Sequence, residues 1–198
     1  YIGCGANLGQ ISGGSQQWGM KIGNNTTGTV IGGWLPGEAN QILYNTVDGM
    51  WITGGSPNHY HRISRNPIYN TAPSMSGKAI NLDGGGNDGY AAPVVTSVNG
   101  ATIMTGTGSS ADSVEIFETD AGCKNALRYL ATVVVSGAGT WSKDLTGLGV
   151  NGSYVFANVR NNTNQNTSEF SVCRSAPPPL PITLLSFDAE LQEDKTVL

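Results

Sequence analysis

Side chains that could do chemistry are sparse in this chain, and the best candidate site is built from oxygen donors. Asp83, Asn87 and Asp88 lie in a Gly-rich stretch, and carboxylate and amide oxygens on a loop suit Ca²⁺. Their spacing is not that of the twelve-residue EF-hand loop. The alternative is a turn whose Asx side chains cap their own backbone. The sequence therefore predicts Ca²⁺ or a structural turn here, and no other cofactor.

The only two histidines, His59 and His61, are two residues apart. On a strand they would share a face, where both imidazoles could hold one metal ion. A zinc site also needs a third protein ligand, and no cysteine lies near them in the sequence. The pattern therefore favours two solvated side chains over a metal site.

Catalytic residues cannot be assigned from the spacing of the charged residues. A glycoside hydrolase needs two carboxyl groups facing each other across the scissile bond. Glu38 and Asp48 are ten residues apart, and nothing in the sequence places two carboxylates on one face of adjacent coils. Arg62 and Arg65, three residues apart, could reach an anionic sugar. We therefore predict a chain with no enzymatic activity of its own, leaving a catalytic region upstream of residue 1 open.

Four aromatic residues are candidate ligand-binding platforms. Trp18, Trp34, Trp51 and Tyr44 would offer rings on which sugars stack at little cost in conformational entropy. The alternative is that these rings pack against one another or against neighbouring parts of the fold.

The composition favours short strands joined by many turns. The chain has 198 residues, of which 28 are Gly and only 12% are charged. Its net charge of −4 argues against nucleic acid as a partner, and no apolar run reaches the ~18–20 residues that span a membrane. Nineteen of the glycines lie within residues 1–90. The fold class predicted is all-β, with two differently built parts.

Residues 1–88 contain an irregular repeat that predicts a parallel β-helix. Gly19-Met20-Lys21-Ile22 recurs 30 residues later as Gly49-Met50-Trp51-Ile52. Three weaker matches accompany it. Gly77–Ile80 follows Gly49–Ile52 by 28 residues, and Ile31-Gly32 follows Ile2-Gly3 by 29 residues. Ile63…Asn66 follows Ile42…Asn45 by 21 residues. Such periods are typical of solenoids. We expect Ile inside the coils and Asn at corners with left-handed φ; the alternative is a β-sandwich with chance similarities.

Residues 89–175 predict an immunoglobulin-like β-sandwich. Seven candidate strands are separated by Gly and Asn turn signals: 93–98, 101–107, 112–119, 127–135, 140–145, 153–160 and 168–172. Residues 121–130 are the only weak helix candidate. Residues 176–198 begin with consecutive prolines and predict a stiff linker and the start of a further β module. Because both chain ends have strand-like sequence, we expect a piece of a longer protein.

Two of the three cysteines fall within the predicted sandwich. In an exported protein Cys123 and Cys173 would form a disulfide, closing a loop that stabilises the fold by roughly 3–4 kcal/mol. Cys4 would then be the unpaired thiol.

Several stretches resemble surface proteins of the Bacteroidetes that carry right-handed parallel β-helix repeats. Residues 79–85 resemble the end of such a helix, and residues 93–97 the entry to the all-β domain that often follows it. Residues 114–117 and 166–171 resemble an early and the last strand of that domain. Residues 180–187 resemble the start of the module that precedes a type IX secretion sorting domain. Asp112-Ser113-Val114 resembles the O-glycosylation motif of exported proteins in that phylum, with Ser113 as acceptor.

The resemblance implies export by the type IX secretion machinery and an outer cell-surface or extracellular location. We expect a non-enzymatic adhesin, stalk or filament component whose repeated coils display side chains to glycans or other surface proteins, so that many weak contacts add. Two alternatives stay open. One is the non-catalytic C-terminal part of a polysaccharide-degrading β-helix enzyme, and the other is a subunit of a self-associating extracellular assembly.

Overall fold

The computed structural model describes residue 2 and the ranges 16–23, 25–54, 58–69, 77–99, 102–120, 125–150, 152–159 and 165–175. This part of the chain is all-β, with fourteen strands in five sheets and one short 3₁₀ segment, Gly86–Gly89. The all-β class predicted from composition is therefore confirmed.

The first seven strands form three parallel sheets. They are β1 (Trp18–Ile22), β2 (Val30–Gly32), β3 (Ile42–Leu43), β4 (Asp48–Thr53), β5 (Arg62–Ser64), β6 (Ile68–Tyr69) and β7 (Ile80–Asp83). One sheet has the order β1-β4-β7, the second pairs β2 with β5, and the third pairs β3 with β6. The chain thus visits the three sheets in turn and then returns to the first.

The register of the first sheet confirms the 30-residue repeat. Met20 pairs with Met50, and Met50 pairs with Ile80. The expected 28-residue match was wrong by two residues, because side chains two apart share a strand face and look equivalent in sequence. The other two matches were also wrong.

Sheet pairing shows why those two matches failed. Ile31 pairs with Ile63, and Ile42 pairs with both Ile68 and Ile2. The expected matches had joined isoleucines from different sheets, since each isoleucine has the same role of filling the interior.

Steric crowding explains the glycine in the Gly-Met-x-Ile motif. A Cβ atom on Gly19 would lie 2.5 Å from Ile42 Cγ2, and one on Gly49 would lie 2.1 Å from Ile68 Cγ2. The first sheet therefore approaches the third so closely at these positions that only the smallest side chains fit. Thirty residues after Gly49, the buried Ala79 occupies the corresponding place.

The expectation that asparagine would take the left-handed conformation at corners holds only in part: Asn25 and Asn87 have φ of 63° and 52°, but other residue types take this conformation too. Tyr44 and Arg65 have φ of 58° and 57°, and each precedes a buried asparagine. Asn66 Nδ2 donates to Ile31 O at 2.9 Å, and Asn66 Oδ1 accepts from Asn40 N at 2.8 Å. The Asn66 side chain therefore satisfies backbone groups of the preceding coil, which is why it is inside.

A core of aliphatic residues lies between the three sheets. Its buried members, mostly isoleucines at 0–7% exposure, are Ile22, Ile31, Ile42, Met50, Ile52, Ile63, Ile68, Ala79 and Ile80. Each of the seven strands contributes at least one of these residues, so burial of this cluster is the main force that holds the sheets together.

The remaining strands form two antiparallel sheets. Their order is β11-β10-β13-β14 in one and β12-β9-β8 in the other. The strands are β8 (Val94–Asn99), β9 (Ile103–Thr107), β10 (Ser113–Glu118), β11 (Arg128–Val134), β12 (Thr140–Asp144), β13 (Ser153–Val159) and β14 (Arg174–Ser175). A second core, which includes Met104, Ile116, Trp141 and Phe156, lies between the two sheets.

One strand expected in this part was wrong, and the weak helix candidate is not a helix where it is described. Residues 168–172 form no strand; the neighbouring residues 165–170 instead lie against the parallel part, with Asn166, Thr167 and Ser168 fully buried. The weak helix candidate at residues 121–130 is strand β11 from residue 128 onward, because pairing with β10 outweighs local helix propensity.

Candidate functional site

The two parts meet along the last strand of each parallel sheet. Thr167 N donates to His61 O at 3.1 Å, and Thr167 Oγ1 both accepts from Ile63 N at 2.8 Å and donates to Ile63 O at 3.0 Å. Thr167 therefore supplies to β5 the hydrogen bonds that a next strand would supply.

The other two sheets are covered in the same way. Ile68 of β6 exchanges two backbone hydrogen bonds of 2.9 Å with Ala126. On β7, Leu82 N donates to Glu169 Oε1 at 2.9 Å, and Glu169 Oε2 lies 2.5 Å from Lys78 Nζ. Each of the three parallel sheets thus ends against a group of the antiparallel part, and we refer to this contact as the junction.

Phe170 links the hydrophobic clusters of the two parts. Its side chain packs against the core of the parallel sheets and also against the cluster of Phe117 and Ala126. The rings of Phe117 and Phe170 meet edge to face, with centroids 5.1 Å apart, a geometry that aromatic pairs prefer. The junction therefore has an apolar centre as well as polar edges.

Glu115 is a buried carboxyl group at the junction, with 1% of its surface exposed. Glu115 Oε1 accepts from Ser64 Oγ at 2.5 Å, and Glu115 Oε2 accepts from Arg65 N at 2.8 Å. Burial raises the pKa of Glu115 above its ordinary value, while these two hydrogen bonds and the nearby Arg65 and Arg62 charges lower it.

The position of Glu115 was missed from the sequence. In an alternating strand with one solvated face, Glu115 reads as an exposed residue. Phe117 shares that face of β10 and is 2% exposed, so an apolar residue at this position was the signal that the second face is covered. Strand β10 is in fact buried on both faces.

Two of the three predicted Ca²⁺ residues, Asn87 and Asp88, take part in the junction. Asn87 Oδ1 accepts from His61 N at 2.9 Å, and Asn87 Nδ2 donates to His61 O and Thr167 O. Asp88 Oδ2 accepts from Asn166 Nδ2 at 2.8 Å, whereas Asp83 is exposed at the end of β7. The amide oxygen of Asn87 is thus already engaged, and Ca²⁺ binding at this turn stays a prediction.

The two histidines are not arranged as a metal-binding pair. His61 is fully buried, and its Nδ1 accepts from Thr29 N at 3.2 Å, so its Nε2 donates to Asn58 Oδ1 at 2.7 Å. Burial, followed by the nearby His59, lowers the pKa of His61. His59 Nδ1 instead lies 3.1 Å from Asp88 Oδ1. Both ring nitrogens of His61 are therefore used to hold the fold.

Two of the predicted platform rings stack on each other. The centroids of Trp18 and Trp51 lie 4.8 Å apart at an interplanar angle of 27°. Lys21 Nζ lies 4.3 Å from the Trp51 centroid, so a cation covers part of the same cluster. These rings therefore stabilise the outer face of the first sheet, and a role in ligand binding stays a prediction.

The other two predicted platforms lie at turns. Trp34 is 43% exposed, and the Arg62 guanidinium lies 4.5 Å from its ring centroid. Tyr44 is half-buried at a corner with left-handed φ. Trp34 is the more accessible of the two rings, and its neighbourhood contains a groove.

The groove lies between the turn after Trp34 and the start of β11, and its volume is about 360 Å³. Residues of both parts form its walls: Leu35, Pro36, Gly37, Ala39, Arg65, Pro67, Arg128 and Tyr129. Sequence reasoning missed it because these residues come from three distant segments, and no local signal marks segments that meet only in the fold.

The remaining candidate residues can be placed only in part. Cys173 is disulfide-bonded and packs beside Phe117 and Ala126, whereas Cys123 and Cys4 lie outside the described residues. Pairing of Cys173 with Cys123 stays a prediction. Ser113 is only 8% exposed, so its hydroxyl has little room for the predicted glycan.

A comparison of the chain with models of known protein families finds no match, and neither does a comparison with curated proteins. Within the described ranges the chain forms no helix with the length and apolar character that crossing a lipid bilayer requires. The same residues contain no group of three or more His, Cys, Asp and Glu side chains that could hold a metal ion.

Proposed function

We propose that the chain belongs to a non-enzymatic, exported cell-surface or extracellular protein of the adhesin, stalk or filament type. In this proposal the three parallel sheets are the faces of a right-handed parallel β-helix. Parallel strands joined by crossovers are right-handed in about 98% of cases. The antiparallel part would be an immunoglobulin-like sandwich that closes the last coil.

The observation that carries the proposal is the junction. An open β-helix end presents unpaired backbone groups, which are templates for association with other chains. Here Thr167, Ala126 and Glu169 meet the last described strand of each parallel sheet. A stack of coils ended in this way is suited to a rigid display element.

Three further observations support a structural role. The Asn87, His61 and Glu115 side chains, which could otherwise do chemistry, are buried and hydrogen-bonded to neighbouring groups. The resemblance of residues 180–187, which lie outside the described residues, to the module before a type IX sorting domain supports export by that machinery. Stacking of copies through the hydrogen-bonding edges of β5, β6 and β7 is disfavoured, because Thr167, Ala126 and Glu169 already occupy those edges.

Labelling of intact cells tests the proposed location. Antibodies raised against the purified chain should stain unpermeabilised cells that produce the protein, or detect it in the medium. Antibodies to a cytosolic protein should stain only permeabilised cells and serve as the control. Staining that requires permeabilisation, with none in the medium, would refute the proposal.

A further inference from the structure

The groove beside Trp34 has the properties of a small-ligand site. Its volume of about 360 Å³ falls within the ~300–1,000 Å³ of typical ligand pockets, and it lies where two structural units meet, a common location for such sites. One wall is the turn that begins at Trp34, and the other is the start of β11. The junction described above holds these two walls together.

Arg65 gives the groove a fixed positive charge. The Arg65 side chain donates through Nη1 to Trp34 O, and its guanidinium lies 4.9 Å from the Tyr129 ring centroid. Among the described residues, no carboxylate forms an ion pair with Arg65. The guanidinium is therefore held in place with no carboxylate of these residues at ion-pair distance. The buried Glu115 carboxyl is near enough for the two charges to interact, but its oxygens are engaged by Ser64 Oγ and Arg65 N.

Arg128 differs from Arg65 because its charge is already paired. Arg128 Nε lies 3.1 Å from Glu118 Oε2, and its terminal nitrogens donate to Leu148 O and Gly149 O. Arg128 thus shapes the wall of the groove, and Arg65 is the cation available to an anionic ligand.

The rest of the lining is largely apolar; the turn residues Leu35 to Ala39 are exposed, whereas Pro67 is buried and Tyr129 half-buried. Leu35 is 67% exposed, and its backbone is held because Leu35 N donates to Glu38 Oε2 at 2.8 Å. Pro36 and Pro67 lack an N–H group, so these walls do not offer the ladder of backbone hydrogen bonds with which an extended peptide adds to a sheet. A ligand with one carboxylate and a compact C–H surface fits better.

We propose that this groove binds the carboxylate of an acidic saccharide, such as a uronic acid unit. Arg65 would pair with the carboxylate, and Leu35 and Tyr129 would contact the apolar face of the sugar ring. This inference deepens the proposed surface function and rests on it for the source of the ligand. Binding by the purified chain can nevertheless be measured independently of where the protein is located.

The test is calorimetric titration of the purified 198-residue chain with a galacturonate oligosaccharide. Its uncharged methyl ester and an oligoglutamate peptide serve as comparison probes. We expect the galacturonate probe to bind best and its affinity to fall with added salt, because the pairing is electrostatic. Arg65→Ala should weaken binding about tenfold or more, as expected when a charge-assisted pair is lost. Arg174→Ala removes an exposed arginine at the far edge of the same sheet and should leave affinity unchanged.

A second variant keeps the test independent of the folding of the first. Leu35→Glu changes an exposed side chain and places a negative charge in the wall, so it should also weaken binding of the galacturonate probe. Absence of binding, equal binding of the methyl ester, stronger binding of oligoglutamate, or full affinity in Leu35→Glu would overturn the inference. Surface labelling of cells would still decide the proposed location separately.

Discussion

Replacing Thr167 with valine isolates the polar part of the junction. Valine has nearly the shape of threonine, so the change removes Oγ1 without leaving a cavity. Ile63 N would lose its acceptor at 2.8 Å, and Ile63 O would lose its donor at 3.0 Å. Leaving a buried polar group unsatisfied costs about 1–3 kcal/mol. We therefore expect the free energy of unfolding to fall by about 2–4 kcal/mol.

Chemical and thermal denaturation followed by circular dichroism measure this loss. For a chain of this size, a loss of that order lowers Tm by roughly 5–12 °C. Thr96→Val is the matched control, because the exposed Thr96 hydroxyl bonds only to the Thr105 hydroxyl, at 3.0 Å. Such surface changes shift stability by at most about 0.5 kcal/mol. If Thr167→Val is no more destabilising than Thr96→Val, the reasoning about the junction is wrong.

Three further predictions concern Phe170, Glu115 and Cys173. Phe170→Ala should lower the free energy of unfolding by about 2–3 kcal/mol, because Phe170 joins two clusters. The loss should be smaller than for a fully buried ring, since Phe170 is only partly buried. An unchanged urea midpoint would contradict this. The raised pKa of Glu115 means that the folded state retains a proton over pH values where the unfolded state has lost it. The stability of wild type relative to Glu115→Gln should therefore fall as pH rises above about 4.5. A stability difference between the two proteins that does not change with pH would contradict this prediction. Peptide mapping under non-reducing conditions should find Cys173 linked to Cys123, and a link to Cys4 would refute that pairing.

Sequence patterns predicted the parts of the fold that depend on local repetition. The Gly-Met-x-Ile motif gave the correct 30-residue register of the first sheet, because Gly19 and Gly49 are required where two sheets approach closely. Shorter matches between isoleucines failed, since an inward isoleucine on one sheet looks like an inward isoleucine on another. Periodicity identifies the buried face but not the sheet to which a short strand belongs.

The junction and the groove depend on contacts between distant segments and could not be predicted in this way. Residues 168–172 have the composition of a strand, yet the segment around Thr167 supplies single hydrogen bonds to β5. Glu115 looks solvent-exposed until the covered face of β10 is known. Arg65 was singled out only as a general anion contact, and its position over Tyr129 follows from the meeting of the two parts.

Native-state hydrogen exchange at three backbone amides tests most directly whether the antiparallel part closes the parallel sheets. Ile63 N, Ile68 N and Leu82 N donate to Thr167 Oγ1, Ala126 O and Glu169 Oε1. If the junction closes all three sheets, these amides should exchange slowly, with protection approaching that of the buried core amides. Fast exchange at all three, as expected for open strand edges, would contradict the account.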